Sequence, residues 1–422
     1  MVGVWARLFF CVALMLAFGR MAFAFDEFDA VHAPARFTLS VDDLTLEIKG
    51  RMRLGLHDLE GSGGPGYDSP TDTATIGTRS PFVELDSFDL AFRVRWKDLL
   101  WLNTNVQFLT TGASLSAIYF EYRQVLSDWF EHAVEVGYKQ PIVARHRHTV
   151  RYPFIATNYW KNPGHHVAYG AKFVLSDETS VSVLASLSLM RPLKAETIHG
   201  SPTYRGSFST LSYGNAEPFS GNAPAGTGLV RFSTHGFLAE GFGFVGKLVT
   251  KSGIHVLIAD FPYYRHHPSF DPNETEGAAY WYGGRLGYEG YGAHFLAEAI
   301  ASREHLLSRV GMYAQGGYAY AREGAFWFNE FAGVVRYEQT WLLDSTKPFD
   351  ESYALRSPEV LNAISWDYQA ITLAMRIHIM DTFLALRCEY TFFIEHNGVP
   401  ALGQKNLNIK NNELLIQLEA RY

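Results

Sequence analysis

The chain has 422 residues, of which 47% are hydrophobic, 15% aromatic and 19% charged, and it carries a formal net charge of −7. Low charge with many aromatics excludes an intrinsically disordered chain, and the acidic balance argues against a nucleic-acid binder. Two cysteines exclude a disulfide scaffold. A mean hydropathy of −0.06 excludes a bundle of transmembrane helices.

In chain order, residues 1–24 read as a cleaved export signal. Arg7 gives a basic start, residues 8–19 are uncharged, and Ala22-Phe23-Ala24 is an A-x-A cleavage sequence placing the cut before Phe25. A membrane anchor is the alternative, but an uncharged run of this length is too short to span a bilayer. Cys11 leaves with the signal, so the mature chain keeps only Cys388 and forms no internal disulfide. Residues 25–43 read as a periplasmic lead-in without a domain of its own.

From residue 44 onward the pattern has period two. In 44–57 the even positions Leu44, Leu46, Ile48, Met52, Leu54 and Leu56 are apolar, whereas Glu47, Lys49, Arg51, Arg53 and His57 occupy odd ones. This is a strand with one apolar and one charged face. The pattern predicts sixteen strands: 44–57, 82–96, 101–110, 117–125, 132–140, 167–175, 181–190, 238–249, 254–261, 279–288, 293–302, 310–321, 325–338, 366–379, 383–393 and 406–422. A further strand pair near 229–233 would make eighteen. The links alternate between short turns and mostly long loops, which a sandwich does not require and a closed antiparallel transmembrane β-barrel does. Trp96, Trp101, Tyr138, Tyr169, Phe261, Tyr280, Trp327, Trp366 and Phe392 fall near strand ends, as interfacial girdles would.

The export signal, the amphipathic strands and the final Leu414-x-Ile416-x-Leu418-x-Ala420-x-Tyr422 together resemble Gram-negative outer-membrane porins. Val136-Gly-Tyr-Lys139-Gln-Pro141, followed by a long loop and Tyr169-Gly170, is similar to the fifth-strand region of phosphate-selective porins. The resemblance implies an all-β fold, with a barrel over 44–422 in the bacterial outer membrane. It implies contacts with membrane lipid and lipopolysaccharide and a homotrimer as one assembly. Leu414, Ile416, Leu418 and Tyr422 would be the signal read by the barrel-assembly machinery. The function implied is a passive diffusion channel for small hydrophilic solutes, with no cofactor. An export or sheath barrel, or a barrel enzyme acting on lipid or peptide, are the alternatives.

Between Glu135 and Asp177 lie 41 residues without Asp or Glu, containing Lys139, Arg145, Arg147, Arg151, Lys161 and Lys172. Within an acidic chain this sign reversal marks an anion path, provided the third long loop (141–166) folds into the bore as it does in porins. The other placement is outside, against lipopolysaccharide phosphates or a neighbouring subunit. Lys49, Arg51, Arg53, Arg93 and Arg95 are expected on the pore wall. Pairing about a centre near residue 70 sets Arg93 opposite Glu47 and Asp89 opposite Arg51, so these charges partly cancel. The pairs His146/His148 and His165/His166 have no carboxylate or Cys beside them, His266/His267 has only Asp271 nearby, and no metal is assigned to them. No G-x-S-x-G, H-E-x-x-H or Walker sequence is present, so no catalytic residue is assigned.

Overall fold

A computed structural model describes residues 37–59, 82–97, 99–109, 112–139, 142–143, 164–189, 193–197, 209–213, 224–249, 269, 271, 273–321, 327–343, 367–379, 383–396 and 412–421. Nineteen strands are described: β1 (Phe37–Val41), β2 (Leu44–Leu59), β3 (Phe82–Trp96), β4 (Leu100–Leu109), β5 (Gly112–Ser127), β6 (Phe130–Lys139), β7 (Gly164–Ser176), β8 (Thr179–Leu189), β9 (Leu193–Thr197), β10 (Ser209–Tyr213), β11 (Pro224–Thr234), β12 (Phe237–Val249), β13 (Glu276–Gly290), β14 (Ala293–Glu304), β15 (Leu307–Ala321), β16 (Glu330–Leu342), β17 (Asp367–Ile379), β18 (Leu384–His396) and β19 (Glu413–Arg421).

Sixteen of them, β2–β8 and β11–β19, pair antiparallel with their neighbours in a closed ring. Two long-range seams complete it. β19 pairs β2 from Glu413↔Leu59 to Arg421↔Arg51, and β8 pairs β11 from Leu189↔Pro224 to Thr179↔Thr234. β1 pairs with β2 over Val41↔Leu44 to Phe37↔Ile48, on the stretch next to the one β19 covers. β9 and β10 form a separate two-stranded hairpin.

Side-chain placement inverts that of a soluble domain. Among residues turned inward and buried are Lys49, Arg53, Asp89, Glu121, Glu135, Arg285, Glu298, Arg336 and Glu419. Among those turned outward and exposed are Leu54, Val136, Val183, Val230, Leu286, Val335, Leu373 and Leu418. Only an apolar surroundings makes that arrangement favourable, because the outer wall buries its hydrophobic side chains in it while the charges keep a polar interior. Leu414, Ile416 and Leu418, expected from the sequence to form an assembly signal, alternate with the buried Glu413, Leu415, Gln417 and Glu419 on β19. Tyr422 lies outside the described residues.

Links alternate as the sequence predicts. On one rim β11 and β12 are joined by His235-Gly236, and β13 and β14 by Tyr291-Gly292, with positive φ at both positions of each turn. That is the type I′ geometry whose twist matches antiparallel strands. A Cβ at Gly236 would lie 2.4 Å from the Glu289 carbonyl oxygen, so only glycine fits.

Two expectations need correction. The ring pairs β12 directly with β13 over the full length of β12, Phe237↔Tyr288 to Val249↔Glu276, so no strand from 254–261 stands between them. That segment lies outside the described residues. Its place in the count is taken by β11, which contains the 229–233 region, so the ring keeps sixteen strands and not eighteen. β11 is hard to read because Gly226 and Gly228 on its outer face erase the apolar alternation. Trp101 is the second correction. It faces the bore, where Arg93 and Arg123 stand 4.9 and 4.4 Å from its ring, and is not part of a girdle. Trp96, Tyr169, Tyr280, Trp327 and Phe392 are exposed as expected. Phe261 and Trp366 lie outside the described residues.

Leu373 sits at the middle of β17 on the outer face and is 45% exposed. Leu373→Arg is expected to destabilise the folded barrel by about 2–4 kcal/mol, the cost of a cation on the lipid face near mid-span. Urea unfolding in lipid vesicles checks this; an unchanged midpoint would place Leu373 away from hydrocarbon.

Candidate pore constriction

A row of small and apolar inward positions crosses seven adjacent strands. Register connects Ala133 (β6), Gly170 (β7), Leu184 (β8), Leu229 (β11), Phe242 (β12), Gly283 (β13) and Ile300 (β14) in one hydrogen-bonding line. Phe242 lies across Gly283, where a Cβ would come within 2.7 Å of its ring. Trp281 and Tyr313 extend this apolar patch.

Ile142 and Val143, which follow β6, pack on this row and are 3% and 0% exposed. The chain leaving β6 therefore turns into the bore. It gains the burial of two branched side chains, on the order of 1.5–3 kcal/mol each.

Two residues further toward the short-turn rim, the wall changes character. The line Lys172–Ser182–Arg231–Glu240–Arg285–Glu298–Tyr313 carries charges of alternating sign on β11–β14. Arg285 is fully buried between two carboxylates. Its Nε donates to Glu298 at 2.5 Å and its Nη1 to Glu240, which also accepts from Arg231 at 2.5 Å. Its Nη2 donates to the Val143 carbonyl at 2.9 Å. This guanidinium thus ties the incoming loop to the wall. Two arginines and two glutamates balance, which a buried network requires to offset desolvation.

The basic residues read from the sequence divide into two groups. Lys139 is inward and buried, but it pairs with Glu135 at 2.8 Å, and His166 reaches the same carboxylate at 2.5 Å. Lys172 faces Glu131 at 3.7 Å. Both lysines are therefore neutralised by acids that lie just before the acid-free segment or at its boundary. Arg145, Arg147, Arg151 and Lys161 lie outside the described residues. His165 points outward against Tyr138 while His166 points inward, so this pair shares no face. The other two histidine pairs lie outside the described residues.

The wall residues fall where the pairing argument put them, with Arg93 opposite Glu47 and Arg51 opposite Asp89. Arg51 and Arg53 reach Asp89 at 3.1 and 2.9 Å. Arg93 bonds Asn103 at 2.8 Å and stands 4.0 Å from Glu47. Lys49 is buried and Arg95 half-buried in the same wall.

Unforeseen from the sequence is how many cations gather at the β17–β18–β19–β2 seam. Arg387 and Arg421 contact Glu419 at 3.2 and 2.5 Å, and Arg376 contacts Glu330 at 2.5 Å. Arg51 and Arg53 also act on Glu419. Five guanidinium groups here meet Asp89, Glu330 and Glu419. In ring order this seam lies across the bore from the apolar row centred on β11. Arg51 and Arg53 share β2, and Arg376, Arg387 and Arg421 lie on consecutive strands; only ring closure sets the two groups side by side.

Arg285→Ala is expected to cost about 3–5 kcal/mol, since it strands two buried carboxylates. It should also raise single-channel conductance by freeing the Val143 carbonyl. Equal conductance in the folded variant would show that this bond does not hold the loop in place.

No family model and no curated protein sequence matches the chain. Solved structures do. The outer membrane channel DcaP of Acinetobacter baumannii aligns with a TM-score of 0.55 at 11% identity, over 92% of this chain and 100% of that one. OmpT, an outer membrane protein of Vibrio cholerae, aligns with a TM-score of 0.51 at 10% identity, over 91% and 99%. The anion-selective porin from Comamonas acidovorans aligns with a TM-score of 0.50 at 10% identity, over 90% and 99%. The chain therefore has the fold of outer-membrane porins: a closed ring of sixteen antiparallel strands.

Proposed function

We propose that the protein is a passive outer-membrane diffusion channel for small hydrophilic solutes, with a preference for anions. The observation that carries this reading is the course of the chain after β6. At Ile142 and Val143 it enters a ring whose inner wall is charged, and the segment that follows supplies Arg145, Arg147, Arg151 and Lys161 without an acid. In a narrow, partly desolvated passage those charges are less screened than in bulk water.

The arginine-rich seam supports the same sign of selectivity from the opposite wall. Five guanidinium groups gather there around Asp89, Glu330 and Glu419 and place a dense set of cations on that wall. Solutes move down their gradient, and the protein supplies a wet, charged passage without energy coupling or covalent chemistry. A loop start seated inside the bore favours this reading over an export or sheath conduit, which needs an open lumen. A homotrimer and recognition of β19 by the barrel-assembly machinery belong to the same reading.

Reversal potential in a planar bilayer under a KCl gradient tests it. Chloride is expected to permeate better than potassium, and the joint change of Arg145, Arg147 and Arg151 to Glu should bring the permeability ratio below one. Cation preference in the unaltered protein would overturn the anion reading, and absence of conductance would overturn the channel.

A further inference from the structure

We propose that His57, Glu84 and Asp86 form a binding site for a divalent first-row transition metal in the wall of the bore, with Glu413 beside it. The site is built on β2, β3 and β19 and rests on the barrel geometry, not on the transport reading. One ligand atom from each of His57, Glu84 and Asp86 lies within 4.8 Å of the others. His57 Nε2 is 2.9 Å from Asp86 Oδ1 and 3.5 Å from Glu84 Oε1, and His57 Nδ1 is 4.0 Å from Glu413 Oε1. Ligands around a tetrahedral zinc stand ~3.4 Å apart, given metal–ligand bonds near 2.0–2.1 Å. Side-chain adjustment of about an ångström therefore closes the cluster on an ion.

Local backbone design makes the cluster. Glu84 lies opposite Gly55 and Ser87 opposite Arg53, so the ladder shifts register between Arg53 and Leu54 and Asp86 is the extra residue of a β-bulge. Bulges re-aim side chains and recur beside functional sites. Here the bulge turns Asp86 toward His57. Gly55 lies beneath both: a Cβ there would come within 2.6 Å of Asp86 Oδ2 and of His57 Nε2. The side chains occupy the hollow that a residue without a side chain leaves. Gln417 donates through Nε2 to Asp86 Oδ2 at 2.5 Å and orients the carboxylate, as outer groups do around metal ligands.

Charge also points to a cation. On the neighbouring stretch of this wall Asp89 meets Arg51 and Arg53, and Glu419 meets Arg387 and Arg421. At this cluster three carboxylates surround one imidazole. Arg53 acts on Asp86, but its hydrogen bonds include those to Ser87 and Asp89. Nitrogen with carboxylate oxygens suits Zn²⁺, Co²⁺, Mn²⁺ and Cu²⁺ better than Mg²⁺ or Ca²⁺. The Glu84 and Asp86 side chains keep 27% and 16% of their exposure, so the ion can enter from the bore and keep water ligands. Among the described residues no other trio of His, Cys, Asp and Glu is grouped this way.

The test uses the refolded full chain in detergent, titrated with Zn²⁺ alone by calorimetry, and Cu²⁺ electron paramagnetic resonance on the same sample. We expect one Zn²⁺ site lost or weakened by about tenfold or more in His57→Gln and in Asp86→Asn, and a Cu²⁺ spectrum with hyperfine structure from a single nitrogen. No Zn²⁺ binding below millimolar concentration, or undiminished binding in folded His57→Gln, would overturn the site. So would a spectrum with two or more nitrogens, the signature of the loop histidine pairs; this readout needs only the unaltered chain. Neither measurement needs conductance, so a barrel that binds metal and passes no current refutes the channel and leaves the site standing.

Discussion

Backbone amides in hydrocarbon have no water to turn to, so each must find its partner within the protein. For strands the solution is a ring without an edge. Every other feature of this chain follows from that closure. It makes the inner wall a place where charge is tolerated, because the outer wall carries the apolar surface. It also sets residues from β17, β18, β19 and β2 side by side, although the chain separates them by more than three hundred positions.

Within the ring the wall is divided by chemistry. From β6 to β14 an apolar row receives Ile142 and Val143, and a balanced Arg–Glu line holds the Val143 carbonyl. Across the bore five arginines gather around Asp89, Glu330 and Glu419. On the long-loop side of those arginines, His57, Glu84, Asp86 and Glu413 reverse the local sign. A solute travelling along the seam meets first an acidic and then a basic stretch. One face of the lumen thus fixes the loop, and the other presents the field.

Period-two alternation made the barrel legible, as did the alternating link lengths, because both are local consequences of a two-sided wall. The pairing of Glu47 with Arg93 and of Arg51 with Asp89 could be read for the same reason: a hairpin fixes register once its centre is known. What escaped was whatever depended on departures from the pattern. β11 is obscured by its lipid-side glycines, and the mostly apolar segment at 254–261 resembles a strand in its place. Trp101 was read by its nearness to a strand end, although parity turns it inward. Lys139 and Lys172 looked like free cations, because the acids that meet them stand across the β6–β7 pair or four residues back. Arg285 and the Asp86 bulge leave no trace in a linear string, since the Val143 carbonyl and Gln417 that meet them lie 142 and 331 positions away.

The seam between β2 and β19 also bears on how the molecule comes to be. β2 is among the first strands in the chain, and the partner for most of its length is the last, while β1 takes the remainder. Until the C-terminal segment arrives, an unfinished sheet carries two bare flanks with rows of unsatisfied donors and acceptors, the condition under which sheets recruit foreign strands. Joining segments so far apart incurs the largest chain-entropy penalty of any contact in the ring. Biogenesis is therefore all-or-none at its final step: the nascent polypeptide needs shielding until its tail docks, and a chain truncated before β19 lacks the piece that turns a ribbon into a tube.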